Sequence, residues 1–130
     1  MAVSWTPEDL QPISVAHELE IATRRADGTL RRWVPIWVVS TGGQVYVRTW
    51  YRRESGWFGH VLATPRARVR VPGLEADVVV DDIGAGTPEV RAEIDGAYQA
   101  KYGRQGGTER MVTDEAAAAT LRLSRDTGAS

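Results

Sequence analysis

Hydrophobic and polar residues alternate in six segments of the chain, which is the pattern of half-buried β-strands. In the first segment, Leu19 and Ile21 point to one side while Glu18 and Glu20 point to the other. Five further runs are rich in apolar residues and are bounded by Gly, Pro or Asp. Pro35 lies inside the second run and predicts an edge strand or a bulge there. The predicted strands cover, in chain order, residues 17–25, 30–40, 44–50, 66–71, 74–83 and 119–125.

Two helices begin at recognisable N-terminal caps. Thr6 and Thr87 each precede a proline and acidic residues, which favour the first turn of a helix. Pro12 keeps the first helix short, whereas the second continues to Gly103 with apolar positions spaced four apart. Shorter helical stretches are predicted over residues 57–65 and near residues 113–115.

This order of elements predicts a mainly β domain with helices in the connections, an α+β fold. Six strands in a mostly antiparallel meander favour a small barrel over a doubly wound sheet or a helix bundle. A chain of 130 residues is the length of one domain. We therefore expect a single domain over residues 1–130, with an N-terminal helical segment (1–16) and a barrel core (17–125).

Composition excludes several classes of protein. The chain has no cysteine and two histidines, which argues against disulfide scaffolds, zinc ribbons and a histidine-built metal site. No apolar run approaches the length of a membrane helix, and the N-terminus does not resemble a signal peptide. The expected location is the cytoplasm, with no membrane partner. Walker, Rossmann and nucleophile-elbow motifs are all missing from the sequence.

Charge is distributed unevenly along the chain. The formal net charge is −1, made of +4 in residues 1–73 and −5 in residues 74–130. Four arginines flank the predicted Asp27-Gly28 hairpin turn, two on each side: Arg24, Arg25, Arg31 and Arg32. Cross-strand neighbours lie close together, so this hairpin is a candidate anion site. The alternative is a solvated hairpin whose charges keep other sheet edges away.

A second candidate is the run Arg48-Thr49-Trp50-Tyr51-Arg52-Arg53 at the exit of the third strand. Aromatic faces, hydroxyl groups and guanidinium groups together suit a planar anionic cofactor, and they also suit single-stranded nucleic acid. Tyr51 is the best candidate for a proton donor near a ring. In the alternative interpretation, Trp50 is a core residue and Tyr51 lies at its rim.

Other aromatic residues leave two interpretations open. Trp33 and Trp37 share a face of one predicted strand and, with Trp57, either wall a pocket or line a dimer interface. For each tryptophan taken alone, core packing is the simpler explanation. Lys101 and Tyr102, near the end of the long helix, either reach a ligand or cap the helix, and capping is the simpler expectation.

Several of these segments together resemble the flavin-binding split-barrel superfamily, which includes pyridoxamine-phosphate oxidases and deazaflavin-dependent nitroreductases. The matching segments are VPIWVV, QVYVRTWY and WFGHVLATP followed by a Val-rich strand. The basic hairpin with its Asp-Gly turn and the returning Pro35 match as well. With the ending AYQAKY, residues 15–125 most resemble a branch of that superfamily classified as a domain of unknown function.

The resemblance implies a six-stranded antiparallel split barrel that forms a homodimer, with FMN or the 8-hydroxy-5-deazaflavin coenzyme bound at the subunit interface. By position, the hairpin arginines would face the phosphate or acidic tail, and two strand residues would back the ring. The remaining residues would meet the ring edge or close the loop. The implied cofactor residues are Arg24, Arg25, Arg32, Ile36, Trp37, Arg48, Thr49, Trp50, Tyr51, Arg52, Ser55 and Trp57.

One departure from the family pattern bears on the cofactor. Relatives place a lysine directly after the serine of the loop, whereas Gly56 and Trp57 follow Ser55 here. Either Arg52 or Arg53 replaces that lysine, or this branch has lost or changed its cofactor.

Three functional hypotheses follow. The first is a flavin- or deazaflavin-dependent oxidoreductase acting on a small molecule, in which the cofactor performs the redox chemistry. The second is a non-catalytic module that uses the same cleft for a flavin, haem or another metabolite. The third, nucleic-acid binding, is the weakest, because a pI of about 6.1 gives no basic footprint.

Overall fold

The structure is a computed structural model that describes residues 2–49 and 56–126. Every strand pairing in it is antiparallel. The strands of these residues are β1 (Ala2–Val3), β2 (Leu19–Thr23), β3 (Val34–Ile36), β4 (Val39–Thr41), β5 (Gln44–Arg48), β6 (Arg66–Val71), β7 (Leu74–Asp82) and β8 (Thr120–Asp126). The helices are α1 (Pro7–Val15), α2 (Gly56–Ala63), α3 (Pro88–Tyr102), α4 (Thr108–Met111) and α5 (Asp114–Ala118).

The strands form one sheet in the order β3-β2-β6-β7-β8-β5-β4, and β1 pairs with the end of β8. This arrangement confirms the predicted antiparallel architecture with helices in the connections. The described residues form eight strands rather than the six predicted. One added strand, β1, is two residues long and too short to show alternation. The other arises because the predicted strand over residues 30–40 is divided into β3 and β4.

This division of one predicted strand closes the sheet into a barrel. β3 lies at one end of the strand order and β4 at the other, although only Trp37 and Val38 separate them. Three peptide units span at most about 11 Å, so the two edges of the sheet must come close together. Pro35 lies in the edge strand β3, as its missing N–H predicts.

The local signals in the sequence explain where the helices begin. Thr6 and Asp9 form a reciprocal capping box at the start of α1, with both hydrogen bonds 3.2 Å long. The hydroxyl of Thr87 accepts a hydrogen bond from the Val90 N–H at the start of α3. At the first hairpin, Gly28 has a φ of 89°, a conformation that favours glycine.

Two apolar clusters hold the elements together. The first fills the barrel with side chains from the sheet, α1 and α2, including the fully buried Leu19, Ile21 and Leu123. The second lies where α3 and α4 cover β4 and β5, and its buried members are Val39, Tyr46, Ile94, Tyr98, Tyr102 and Met111. Among the described residues, no helix is long and apolar enough to cross a membrane.

Candidate functional site

The basic hairpin forms as predicted, but its arginines have different surroundings. The Arg24 guanidinium donates hydrogen bonds to the Gly28 carbonyl and to Asp77 on β7, both at 2.8 Å. Arg68 binds the same carboxylate oxygen at 3.1 Å. The charge of Arg24 is therefore compensated within the outer face of the sheet.

Arg25 stabilises the turn itself. Its Nη1 donates to the Leu30 carbonyl at 2.8 Å and to the Thr29 hydroxyl at 3.4 Å. The Thr29 N–H and hydroxyl in turn donate to the Asp27 carboxylate at 2.9 and 2.7 Å. These hydrogen bonds stabilise the ionised carboxylate and therefore lower the pKa of Asp27. The tip of the hairpin is thus fixed while the outer part of the Arg25 side chain stays exposed.

The two arginines of the returning strand lack such partners. Arg31 and Arg32 form no ion pair with any residue in 2–49 or 56–126. The Nε of Arg31 is buried and has no hydrogen-bond partner. By contrast, eight arginines elsewhere pair with carboxylates: Arg24, Arg48, Arg66, Arg68, Arg70, Arg91, Arg122 and Arg125.

A histidine lies beside these arginines. α2 packs against β2, which places the half-buried His60 close to the hairpin that follows β2. Burial lowers the pKa of His60, and the positive charges of Arg31 and Arg25 lower it further. We call Arg25, Arg31 and His60 the basic cluster. The sequence alone does not indicate this position of His60, because nothing local to α2 shows which strand the helix packs on.

The two strand residues predicted to back a cofactor ring lie on opposite sides of the chain. Ile36 is buried in the cluster inside the barrel, whereas Trp37 packs with the cluster beneath α3. Adjacent residues of an extended strand point to opposite faces, so these two side chains do not share one surface. Trp37 is half-buried, and its ring stacks on Tyr102 with centroids 4.1 Å apart.

The last turn of α3 binds the backbone at the division between β3 and β4. The Tyr102 hydroxyl accepts a hydrogen bond from the Val38 N–H at 3.0 Å and lies 2.8 Å from the His17 carbonyl, to which it donates. Lys101 Nζ donates to the carbonyls of Val38 and Ile13 at 2.8 and 3.2 Å. Burial lowers the pKa of Lys101 to about 8 and raises that of Tyr102 to about 12. These residues therefore bind structural carbonyls rather than capping α3.

Arg48 is the largest fully buried side chain of the described residues. It donates to Asp95 at 2.5 Å, to the Met111 carbonyl at 2.8 Å and to the Thr120 hydroxyl at 2.8 Å. Its side chain thus joins β5 to α3, to the end of α4 and to β8. One nitrogen, Nη2, remains buried without a partner.

Other predicted cofactor residues lie at or beyond the edge of the described structure. Thr49 is half-buried at the end of β5, and Trp57 is half-buried on α2, where it packs edge-to-face with Phe58. Trp50, Tyr51, Arg52 and Ser55 lie outside the described residues. Gly56, at the position where the resemblance implies a lysine, has a φ of 61°, a backbone conformation that residues other than glycine rarely adopt.

The described residues contain no cluster of three or more His, Asp or Glu side chains suited to a metal ion. The basic cluster offers two guanidinium cations, Arg25 and Arg31, next to the half-buried side chains of α2. Trp57 and His60 are three residues apart on α2 and so lie on one face of it. Such a surface is suited to an elongated ligand with an anionic end and a planar apolar part.

Comparison with known proteins gives a family and a fold. The family model described as "Uncharacterized protein conserved in bacteria (DUF2255)" matches residues 9–123. None of the curated proteins matches the chain.

Several solved structures share the fold at low sequence identity. The heme storage protein HutZ from Vibrio cholerae has a TM-score of 0.69 at 12% identity, over 97% of this chain and 93% of that one. A FAD-binding protein from Mesorhizobium loti has a TM-score of 0.61 at 14% identity, over 98% and 94%. An F420-H2 dependent reductase has a TM-score of 0.59 at 16% identity, over 84% and 94%. The likeness confirms the split-barrel fold.

Proposed function

The chain belongs to the DUF2255 family, and we propose that it binds a flavin-type cofactor, FMN or the 8-hydroxy-5-deazaflavin coenzyme, with the anionic end of that cofactor at the basic cluster. We further propose that it acts as an oxidoreductase on a small organic molecule. The first proposal concerns binding and the second concerns turnover, so each has its own test.

The observation that carries the binding proposal is that Arg31 has no carboxylate partner within residues 2–49 and 56–126. Its Nε is buried without a partner, whereas eight arginines elsewhere in the described structure pair with carboxylates. A buried guanidinium nitrogen without a partner costs free energy, and a phosphate or carboxylate supplies the missing acceptor. A flavin mononucleotide and a deazaflavin coenzyme both carry such a group.

Each part of the cluster has a distinct role in this proposal. Arg31 would bind the anion directly, and Arg25, already fixed to the Leu30 carbonyl, would add charge without a large loss of side-chain freedom. A bound anion would raise the pKa of His60, since an adjacent negative charge favours the imidazolium form. Trp57, on the same face of α2, would contact the planar ring. The ring itself supplies hydride transfer when bound, and the protein supplies binding and orientation.

Two properties of the solved structures support the choice of cofactor class. Two of these structures are those of a FAD-binding protein and an F420-H2 dependent reductase. Both share the fold of this chain over most of its length. The homodimer and the further cofactor residues remain part of the proposal, among them Trp50, Tyr51, Arg52 and Ser55.

A non-catalytic binding module is the second candidate. The specific observation in its favour is the positive φ of Gly56, a backbone conformation unsuited to the lysine that the family resemblance implies at this position. Binding without that lysine is compatible with storage or transport of a cofactor. Turnover separates the two candidates: reduced cofactor supplied in excess should be consumed by an oxidoreductase in the presence of its acceptor, and a carrier should leave it unchanged.

The test of binding is a parallel titration of the purified protein with FMN and with the deazaflavin coenzyme, followed by cofactor fluorescence. Wild-type protein should bind one of them saturably. Arg31→Ala should weaken that binding about tenfold or more, the usual effect of removing a charge-assisted hydrogen bond. Arg104→Ala is the matched control, because Arg104 is an exposed arginine between α3 and α4, and it should leave the affinity unchanged.

Two outcomes would contradict the proposal. If folded wild-type protein binds neither cofactor, the flavin assignment is wrong. If one cofactor binds but Arg31→Ala and Arg104→Ala have the same affinity as wild type, the cofactor does not use the basic cluster.

A further inference from the structure

A groove of about 600 Å³ lies at the opposite end of β2 from the basic cluster. Its walls come from α1, from the segment between α1 and β2, from β3 and from the turn between β6 and β7. Its main lining residues are Pro12, Val15, Pro35 and Pro72, with Glu18 and Glu20 at the polar side. We call it the proline groove. Its volume is within the range of small-molecule sites in proteins.

The apolar wall of the proline groove is exposed to solvent. Two large hydrophobic residues are exposed among those described, and Val15, at 70%, is the more exposed of the two. Its neighbours in the groove include three proline rings contributed by three different elements. Covering such a surface lowers the free energy of the system by roughly 25 cal/mol for each Å² of apolar area removed from water.

The groove is also preformed. Both α1 and the segment that follows it are held from behind. Lys101 Nζ donates to the Ile13 carbonyl in α1 at 3.2 Å, and the Tyr102 hydroxyl donates to the His17 carbonyl in the segment at 2.8 Å. Proline rings have little conformational freedom to lose. A ligand would therefore bind without the entropic cost of ordering the walls.

The charge on the polar side of the proline groove favours a positively charged ligand. The Glu20 carboxylate pairs with Arg70 at 3.0 Å, and the Arg70 guanidinium lies over the Trp33 ring, 4.1 Å from its centroid. Glu18 is exposed and forms no hydrogen bond or ion pair with the described part of the chain. An unpaired carboxylate at one side of an apolar groove attracts a cation and repels an anion.

We propose that the proline groove binds a small organic cation that has an apolar body and one ammonium group. The ammonium lies at the Glu18 carboxylate, and the apolar body covers Val15 and the proline rings. This site is separate from the basic cluster. The intervening strand, Leu19–Thr23, spans about 13 Å at the usual rise of a strand. The proposal therefore does not depend on whether a flavin binds.

The experiment uses two probes with similar bodies and opposite charges, 2-phenylethylammonium and 3-phenylpropionate. Each is titrated into uniformly ¹⁵N-labelled protein without added cofactor, and the amide resonances are followed by NMR. The ammonium probe should shift the amides of Val15, His17 and Glu18 saturably. The carboxylate probe should leave these amides unchanged at the same concentrations.

Two variants test the two halves of the proposed contact. Glu18→Gln should weaken binding of the ammonium probe about 1.5-fold to fivefold, the range of an exposed ion pair. Val15→Lys should abolish its binding, since the new charge and side chain occupy the apolar wall. Leu62→Lys is the matched control, because Leu62 on α2 is the other exposed large hydrophobic residue among those described, at 40% exposure. This variant should bind the ammonium probe with the affinity of wild type.

Three results would overturn the proposal. The first is equal binding of both probes, which would mean that charge is not recognised. The second is a set of shifted amides that lies away from the proline groove. The third is unchanged affinity of the ammonium probe in Val15→Lys.

Discussion

The indole ring of Trp37 lies parallel to the phenol ring of Tyr102, with their centroids 4.1 Å apart and an angle of 1° between the planes. The same tyrosine binds the backbone of Val38 through its hydroxyl. One side chain of α3 therefore contacts both residues that separate β3 from β4. This contact stabilises the point at which the two edges of the sheet meet, because the buried backbone N–H and carbonyl of Val38 need hydrogen-bond partners there.

Two tyrosines one helical turn apart should respond differently to loss of the hydroxyl. Tyr102→Phe leaves the Val38 N–H without its hydrogen bond and should lower the free energy of unfolding by about 1–3 kcal/mol. Tyr98→Phe should be neutral or stabilising, because the Tyr98 hydroxyl is buried without a partner. Urea denaturation of both variants measures the difference. Equal destabilisation of the two would contradict the assigned role of the Tyr102 hydroxyl.

The ion pair between the buried Arg48 and the half-buried Asp95 should be costly to break by removing the carboxylate. Asp95→Ala leaves the Arg48 guanidinium buried without its carboxylate and should lower the free energy of unfolding by about 3 kcal/mol or more. The double variant Arg48→Met/Asp95→Ala should recover part of that loss, since it removes the unpaired charge. Thermal and chemical denaturation provide the measurement. A double variant less stable than Asp95→Ala would show that the other hydrogen bonds of Arg48 dominate.

Lys101 should give the protein a distinctive dependence of stability on pH. Its pKa is lowered by burial to about 8 in the folded chain, whereas an exposed lysine titrates near pH 10.4. Between these values the unfolded chain holds a proton that the folded chain has released, so stability rises with pH. The raised pKa of Tyr102 opposes this trend only above about pH 10, where an unfolded tyrosine ionises.

The measurement is urea denaturation at intervals between pH 7.5 and pH 9.5. Wild-type protein should become more stable as the pH rises above about 8. Lys101→Met should lose that rise, although it will be less stable overall because two carbonyl partners are removed. A rise of the same size in both proteins would assign it to another group.

Substitution of Arg24 should mainly lower the stability of the protein, whereas substitution of Arg31 should mainly lower its affinity for the cofactor. Arg24→Ala removes a partly exposed ion pair with Asp77 and should lower the free energy of unfolding by about 0.2–1 kcal/mol. Its effect on the affinity for FMN or the deazaflavin coenzyme should be within about twofold, because its charge is already compensated. Arg31→Ala should show the opposite result, with weaker binding and little loss of stability. A tenfold loss of affinity in Arg24→Ala would instead assign the whole hairpin to the cofactor.

The strands, the principal helices and the first hairpin could be predicted from the sequence because their signals are local. Alternation identifies the core side of β2, and the Asp27-Gly28 turn positions the hairpin arginines. Thr6 and Thr87 act as helix caps through hydrogen bonds to residues three positions later. The resemblance of longer segments then led to the split-barrel fold, which the comparisons confirm. It also implied a flavin-type cofactor, which stays a proposal.

The details of the candidate site depended on contacts between distant parts of the chain. Asp77 compensates Arg24 from β7, 53 positions away, and Asp95 compensates Arg48 from α3, 47 positions away. His60 reaches the hairpin only because α2 packs on β2. No local pattern carries this information, since a side chain's charge balance depends on which elements the fold brings beside it.

By itself, the sequence determined the type and order of most elements, because caps, turns and alternation act over a few residues. Only the tertiary structure decided how one apolar run, residues 30–40, is divided. Ile36 enters the barrel interior while Trp37 stacks beneath α3. The physical reason is that the two edges of a closing sheet must be joined, and the backbone of Val38 at that junction has its hydrogen bonds supplied by Lys101 and Tyr102.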